Sequence, residues 1–145
     1  MPSLTELASY LESIAPAQTA ESWDNVGVLV RCAQEVTGVL CALDITPATV
    51  REARAVGCNA IVSHHPVIFR PLKELRQDDV PALLVREGVS AVCMHTNLDK
   101  AQGGVNDVLA QALGLRDTEP FAGGIGRVGV LPETMEAAAF AQFVG

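Results

Sequence analysis

The apolar residues near the start of the chain recur at helical spacing. Leucine, isoleucine and alanine fall on one stripe between residues 4 and 15, directly after the sequence S-x-x-E formed by Ser3 and Glu6. Those two side chains form a capping box, in which each one satisfies a backbone N–H group at the start of the helix. The pattern therefore predicts an amphipathic helix that begins after Ser3 and ends before Pro16.

Four short apolar runs predict β-strands, at residues 26–30, 36–44, 58–64 and 89–94. The last three runs are almost continuously apolar, which is typical of strands buried on both faces of a sheet. Helical segments that end at glycine lie between them, and this alternation favours right-handed βαβ crossovers. We therefore expect an α/β fold, a three-layer lobe with a mostly parallel sheet.

The stretch at residues 120–133 is rich in glycine and lacks the alternation of strands and helices predicted for the preceding residues. Gly124, Gly126 and Gly129 satisfy the pattern G-x-G-x-x-G. The dinucleotide-binding version of that pattern requires a helix that starts within it. Here Val130-Leu131-Pro132 follows, which cannot continue a helix, so the stretch predicts a hairpin or a bend. The segment ETMEAAAFAQFVG at residues 133–145 predicts the start of a further helix.

Charge and cysteine usage exclude several classes of protein. The formal net charge is −7 and the ten basic residues are scattered, whereas a nucleic-acid surface needs clustered Lys and Arg. Two of the four cysteines, Cys41 and Cys93, lie inside apolar runs, which predicts buried free thiols and a reducing compartment. The first 14 residues fit neither a signal peptide nor a membrane span. We expect a cytoplasmic protein without nucleic-acid or membrane partners.

Acidic and imidazole side chains follow the predicted strands. Asp44 ends one strand, His64 and His65 end the next, and His95 ends the last, with Asp99 in the following loop. In open α/β sheets, ligands bind at the carboxyl ends of the strands. Strand ends are also commonly polar because the loops that follow them are exposed to solvent. Two adjacent histidines are rarer at such a position than a lone one, and the pair therefore favours a metal site.

The order of residues around the histidine pair favours two metal ions. Pro66 disfavours a helical backbone at His65 and pushes it toward an extended one, in which successive side chains point to opposite sides. Two such imidazoles do not easily chelate one ion, but each can serve one of two ions, with a carboxylate such as Asp99 between them. A two-metal site suits hydrolysis, since one ion can activate water and the other can hold the leaving oxygen.

Other polar residues leave alternatives open. His95 and Asp44 are either ligands or groups that orient a ligand by a hydrogen bond, and Asp44 is alternatively a helix cap. Trp23, Asp24 and Asn25 are either a packed ring followed by a turn, or an aromatic wall with polar neighbours at the mouth of a pocket.

The segments SWDNVG, ALDIT, SHHPVIF and HTNLD-x-A-x-GGVND resemble the Nif-three-like dinuclear metal proteins, some of which are named GTP cyclohydrolase type two homologues. The resemblance runs from about residue 3 to residue 131. It implies that His64, His65 and Asp99 bind a pair of divalent metal ions, with zinc, iron, manganese and cobalt as candidates. It also implies a ring-shaped hexamer of identical chains, with the metals facing an internal cavity.

The same resemblance predicts how the chain is organised. Members of the family complete the site with a later histidine and glutamate and carry a second α/β lobe, whereas no histidine follows His95 here. We expect residues 1–118 to be the α/β lobe with the first half of the metal site. Residues 119–145 would be a glycine-rich connection and the start of a truncated second segment, so that the second lobe is missing.

Two functions from different classes remain. The first is a metal-dependent hydrolase that acts on a nucleotide such as GTP, or on another phosphorylated or cyclic amide substrate. In such a hydrolase, the Lys73 side chain either binds an anionic group or is a solvated surface lysine. The second is a non-catalytic metal-binding, scaffold or regulatory protein.

Overall fold

The computed structural model describes residues 1–145, which form two compact units, Met1–Leu98 and Asp99–Gly145. The helices and strands are, in chain order, α1 (Leu4–Ile14), a 3₁₀ turn (Ala17–Thr19), β1 (Gly27–Val30), β2 (Val39–Ala42), α2 (Pro47–Ala55), β3 (Ala60–Ser63), α3 (Val80–Glu87), β4 (Ser90–Cys93), α4 (Thr96–Lys100), α5 (Val105–Ala112), β5 (Arg116–Phe121), a 3₁₀ turn (Ala122–Gly124), β6 (Gly126–Val130) and α6 (Ala137–Val144). None of the helices is both long enough and apolar enough to cross a membrane.

A four-stranded sheet in the order β1-β4-β3-β2 forms the centre of the first unit. Strands β2, β3 and β4 run parallel, and β1 pairs with β4 in the antiparallel direction. The sequence β2-α2-β3-α3-β4 supplies the two crossovers that parallel neighbours need. The prediction of an α/β fold with a mostly parallel sheet is confirmed.

Helices cover both faces of this sheet because neighbouring strand residues point to opposite sides. Ala60 and Val92 face a cluster that contains Leu4 of α1. Ile61 packs on the other face with Leu84 of α3 and residues of α2. The result is the three-layer arrangement expected for strands of this composition.

The predicted helix ends are confirmed where a local signal defines them. Ser3 and Glu6 form the capping box of α1, with the Ser3 N–H donating to a Glu6 carboxylate oxygen at 2.7 Å. Thr46 caps α2 ahead of Pro47. Gly88 ends α3 in the left-handed conformation, at φ +67°, which glycine adopts without strain.

Strand β2 differs from the prediction. It lies at the edge of the sheet, and its four residues alternate between exposed and half-buried rather than being buried on both faces. Cys41 is therefore exposed, and the prediction that it is a core residue is wrong. Cys93, in the fully buried strand β4, is buried as predicted.

The second unit contains the hairpin predicted for the glycine-rich stretch. Strands β5 and β6 pair antiparallel, joined by the 3₁₀ turn Ala122–Gly124. The Arg127 guanidinium donates to the carboxylate of Asp107, which ties the hairpin to α5. Helix α6 has no buried residue, and every residue of β5 is exposed. The functional division expected at residue 118 stays a prediction.

Candidate metal site

The carboxyl ends of the three parallel strands meet at one edge of the sheet. Asp44 follows β2, His64 follows β3, and His95 follows β4. Backbone hydrogen bonds continue beyond the strands, from the His64 N–H to the Ala42 carbonyl at 3.1 Å and from the Met94 N–H to the Ser63 carbonyl at 2.9 Å. These bonds hold the polar segments side by side, as predicted from the strand ends.

All three histidines of the chain come together there. The ring centroids lie 5.3 Å apart for His64 and His65, 5.1 Å for His64 and His95, and 5.7 Å for His65 and His95. One ring nitrogen from each residue lies within 4.8 Å of the others, so the group is able to hold a metal ion.

The histidine pair is not arranged as the extended backbone predicted. Residues 64 and 65 form a bend, and both imidazoles contribute to one cluster instead of pointing to opposite sides. The Ser63 hydroxyl donates to the His65 carbonyl at 2.9 Å, and the buried Cys93 thiol donates to the His64 carbonyl at 3.1 Å. These bonds to buried groups hold the bend in place.

Each imidazole makes a hydrogen bond through Nδ1. The partners are the Met94 carbonyl for His64 at 3.0 Å, Asp44 Oδ1 for His65 at 2.7 Å, and Asp24 Oδ1 for His95 at 2.9 Å. Carbonyl and carboxylate oxygens only accept, so Nδ1 carries the hydrogen and a neutral ring has its lone pair on Nε2. Metal-binding histidines are usually oriented in this way, and the three residues therefore fit a divalent ion.

Asp24 is the most constrained of these partners, because its side chain is completely buried. One carboxylate oxygen accepts from His95, and the other accepts from the backbone N–H of Thr96 at 3.1 Å and from the Thr96 hydroxyl. Burial alone would raise the pKa of Asp24, but the hydrogen bonds from Thr96 and His95 together lower it below the ordinary value. The carboxylate thus stays charged beside His95.

Sequence reasoning did not link Asp24 to His95, since they are 71 residues apart. The only signal was that Asp24 stands beside the single tryptophan of the chain. Trp23 is 58% exposed and makes edge contacts with Phe69 and His95, at centroid distances of 6.1 and 6.4 Å. Asn25 donates from Nδ2 to the Ile68 carbonyl at 2.6 Å. This geometry fits an aromatic wall beside the histidines.

Cys93 lies close to the site, in the buried strand β4, and its thiol donates a hydrogen bond to the His64 carbonyl. Burial raises the pKa of its thiol to about 12, and the negative charge of Asp24 contributes to the rise.

Two predicted site residues, Asp99 and Lys73, are not part of the three-histidine cluster. Asp99 belongs to helix α4, not to a loop, and it begins the second compact unit. Its role as a ligand stays a prediction. Lys73 is exposed on the segment between β3 and α3, and its contact with an anionic group likewise stays a prediction.

Proteins of staphylococci match much of the chain. A Staphylococcus aureus protein named GTP cyclohydrolase 1 type 2 homolog is 43% identical over 118 residues, which cover 79% of this chain and 32% of that protein. A Staphylococcus epidermidis protein with the same name is 36% identical over the same length. The chain thus spans about a third of the length of these curated relatives.

Solved structures show the same fold. A Staphylococcus aureus hypothetical protein, 41% identical, superposes with a TM-score of 0.74 over 82% of this chain and 41% of its own. A Bacillus cereus protein related to NIF3, 40% identical, gives a TM-score of 0.75 over 82% of this chain and 34% of its own. Reduced HcgD from Methanocaldococcus jannaschii, 27% identical, gives a TM-score of 0.80 over 90% of this chain and 54% of its own.

The family comparison covers almost the whole sequence. The family model described as Duf34/NIF3 (NGG1p interacting factor 3) matches residues 2–145. The match includes the strand ends that carry all three histidines. The resemblance found in the sequence motifs is confirmed, and the chain belongs to the Duf34/NIF3 family.

Proposed function

We propose that this chain is the metal-binding part of a metal-dependent hydrolase with a dinuclear divalent site. The observation that carries the proposal is the cluster of three imidazoles, each with Nδ1 held by a hydrogen-bond acceptor. Polar strand ends without a metal would have no need for three histidines oriented in this way. The arrangement is typical of metal ligands supported by neighbouring groups.

The ligands that we propose for the two ions are His64, His65 and Asp99, by the resemblance to the family. Imidazole favours zinc, iron and cobalt over magnesium, and a carboxylate also accommodates manganese. A divalent ion bound there would act as a Lewis acid and would lower the pKa of a coordinated water. The protein's own contribution is to fix the imidazoles and to keep Asp24 charged beside them.

The surface next to His65 indicates which part of a substrate could lie there. A groove is lined by the apolar side chains of Ile45, Val67 and Val80 and by the carboxylates of Asp44 and Asp79. Carboxylates repel phosphate but accept hydrogen bonds from the N–H groups of a base or a cyclic amide. We therefore propose a nucleotide such as GTP, or another cyclic amide, with its ring in this groove.

We also propose that the chain works in the cytoplasm as a homo-oligomer, as in the hexameric ring that the family resemblance implies. All four cysteines are free thiols, which suits a reducing compartment. The net charge of −7 argues against nucleic acid as a partner.

A substrate panel with added metal tests the proposal. The 145-residue chain would be incubated with nucleotides, phosphoesters and cyclic amides in the presence of manganese, iron(II) or zinc, and metal uptake would be measured by calorimetry in parallel. We expect metal-dependent turnover that His65→Ala abolishes, while Lys73→Ala leaves metal uptake unchanged.

The two parallel measurements separate the alternatives. Metal uptake without turnover of any panel member would favour the second function, a non-catalytic metal-binding or scaffold protein. Absence of uptake for every ion would contradict both functions.

A further inference from the structure

We infer that Arg127 is a positioning residue for the proposed metal ligand Asp99. From strand β6 its guanidinium group binds the backbone at the end of α4, the short helix that carries Asp99. The inference rests on the proposed role of Asp99 as a ligand, but not on hydrolytic activity. It also gives a role to the glycines of the hairpin, which the proposed function leaves unexplained.

The Arg127 side chain is enclosed within the second unit, where only 9% of it is exposed. Its Nε donates to the carboxylate of Asp107, and its Nη1 donates to the carbonyls of Gly124 and Gly126, at 2.7 and 3.0 Å. Gly124 has φ +91°, which a residue with a side chain rarely adopts, so glycine allows this turn without strain. The hairpin thus supplies acceptors for three of the five N–H groups of the guanidinium.

The remaining two N–H groups cap the carboxyl end of α4. Nη2 of Arg127 donates to the carbonyls of Lys100 and Ala101, at 3.3 and 3.4 Å. The last carbonyls of a helix lack partners within the helix, and an arginine side chain is able to supply one. Here the arginine belongs to a strand 26 residues beyond Ala101. The contact therefore holds a helix end by a group from the hairpin.

Asp99 needs such support because α4 is little more than one turn long. The helix contains five residues, Thr96–Lys100, and the half-buried Asp99 lies next to the last of them. A helix of this length is not stable by itself in water, and helix ends fray. A metal ligand must be held within about 0.5 Å of its binding geometry. By fixing the Lys100 carbonyl, Arg127 fixes the backbone directly after Asp99.

The geometry of the guanidinium also suggests the variant that tests its role. Lysine keeps the positive charge but lacks the planar fork of donors, so Arg127→Lys should lose the bonds to the end of α4. Arg116→Lys is the matched control, because Arg116 lies on β5 of the same hairpin and is exposed. Circular dichroism at the temperature of the assay establishes that each variant is folded.

Zinc titration of the 145-residue chain by calorimetry measures the effect. Arg127→Lys should weaken zinc binding about 10–100-fold, as is typical of groups that orient a metal ligand. Arg116→Lys should leave zinc affinity unchanged. A double-mutant cycle then shows whether Arg127 acts through Asp99. Asp99→Ala should weaken binding, and the addition of Arg127→Lys to it should cause no further loss.

A measurement on the unchanged protein does not depend on the folding of any variant. If the contact between Arg127 and α4 favours metal binding, metal binding must strengthen that contact to the same extent. Nuclear magnetic resonance should therefore show slower hydrogen exchange at the Arg127 guanidinium when zinc is added, with no change at Arg116. Unchanged exchange at Arg127 in the zinc-loaded protein would overturn the inference.

The outcomes of the titration separate this inference from the proposed function. Unchanged affinity in Arg127→Lys, together with a loss in Asp99→Ala, would overturn the inference and leave the proposed ligand in place. An equal loss from Arg127→Lys with and without Asp99 would also overturn it, because Arg127 would then act on the fold in general. Unchanged affinity in Asp99→Ala would remove Asp99 from the proposed ligands, and the inference with it. None of these measurements depends on turnover, so the substrate panel tests the hydrolase proposal separately.

Discussion

Two aspartates in this protein accept a hydrogen bond from a histidine, and their surroundings differ. Asp24 is fully buried and receives further donors from Thr96, whereas Asp44 is more than half exposed. Water competes for the exposed pair and screens its charge, so such pairs contribute little to stability. The buried carboxylate cannot be removed without leaving its donors unsatisfied.

We therefore predict different effects of the same substitution at these two positions. Asp24→Ala should lower the free energy of unfolding by about 1–3 kcal/mol, the cost of leaving buried donors without an acceptor. Asp44→Ala should change it by less than about 0.5 kcal/mol, as is usual for an exposed site. Urea denaturation of the metal-free protein measures both values. Equal losses for the two variants would contradict the argument from burial.

At the scale of single elements, helix α3 offers a matched pair of neighbouring residues. Leu84 is completely buried in the core between the sheet and the helices, whereas Val85 beside it is 61% exposed. Leu84→Ala should cost about 2–5 kcal/mol of unfolding free energy, because it removes buried apolar contacts and leaves a cavity. Val85→Ala should stay within about 0.5 kcal/mol. Thermal and urea unfolding of both variants checks the difference, and a costly Val85→Ala would show that another surface covers this face.

The link between α5 and the β5–β6 hairpin predicts a pH dependence. The side-chain hydrogen bond from Arg127, with the backbone N–H of Gly103, lowers the pKa of Asp107 below its ordinary value. A group with a lowered native pKa stabilises the fold above its unfolded pKa, about 4, and loses this effect as pH falls through the native pKa.

The wild type should therefore exceed Asp107→Asn in stability at pH 6, and the difference should shrink below about pH 4. Carbon NMR titration of the Asp107 carboxyl group provides a direct measurement. Arg127→Gln should raise its pKa toward the ordinary value, with Arg86→Gln as the control. An unchanged titration in Arg127→Gln would contradict the proposed cause.

Elements with a local signal were predictable from the sequence, and those that depend on position in the sheet were not. Ser3 and Glu6 define the start of α1 within four residues of chain, and Gly88 ends α3 through its own backbone conformation. Strand β2 has the composition of a central strand but lies at the edge of the sheet. The strand order depends on long-range pairing, which apolar periodicity does not specify.

At the scale of the molecule, the candidate site also combines features that the sequence predicts with features that depend on long-range contacts. The strand ends correctly predicted that Asp44, His64 and His95 share one edge, because parallel strands bring their carboxyl ends together. The joint cluster of all three imidazoles was not predicted, since it depends on the bend at residues 64 and 65. The pairing of Asp24 with His95 depends on the antiparallel strand β1, whose place beside β4 was not evident from its sequence.

Burial along the chain predicts an uneven stability, which hydrogen exchange can measure. All residues of β4 and most of β3 are buried, and their amides belong to the central ladder of the sheet. By contrast, α6 buries no residue, and all residues of β5 are exposed. Few buried contacts mean that a segment opens at a low free-energy cost, so its amides exchange without global unfolding. We therefore expect slow exchange over residues 60–63 and 90–93 and fast exchange over residues 116–121 and 137–144.

Mass spectrometry of peptic fragments after deuterium labelling resolves these four segments in one experiment. Leu84→Ala provides the internal control, because loss of core packing should accelerate exchange in β3 and β4, whose slow amides report on global unfolding. It should leave α6 unchanged, since that helix already exchanges through local opening. If α6 were protected as strongly as β4 in the wild type, some other surface would have to cover the helix in solution. Protection that rises with protein concentration would then identify that surface as a second copy of the chain.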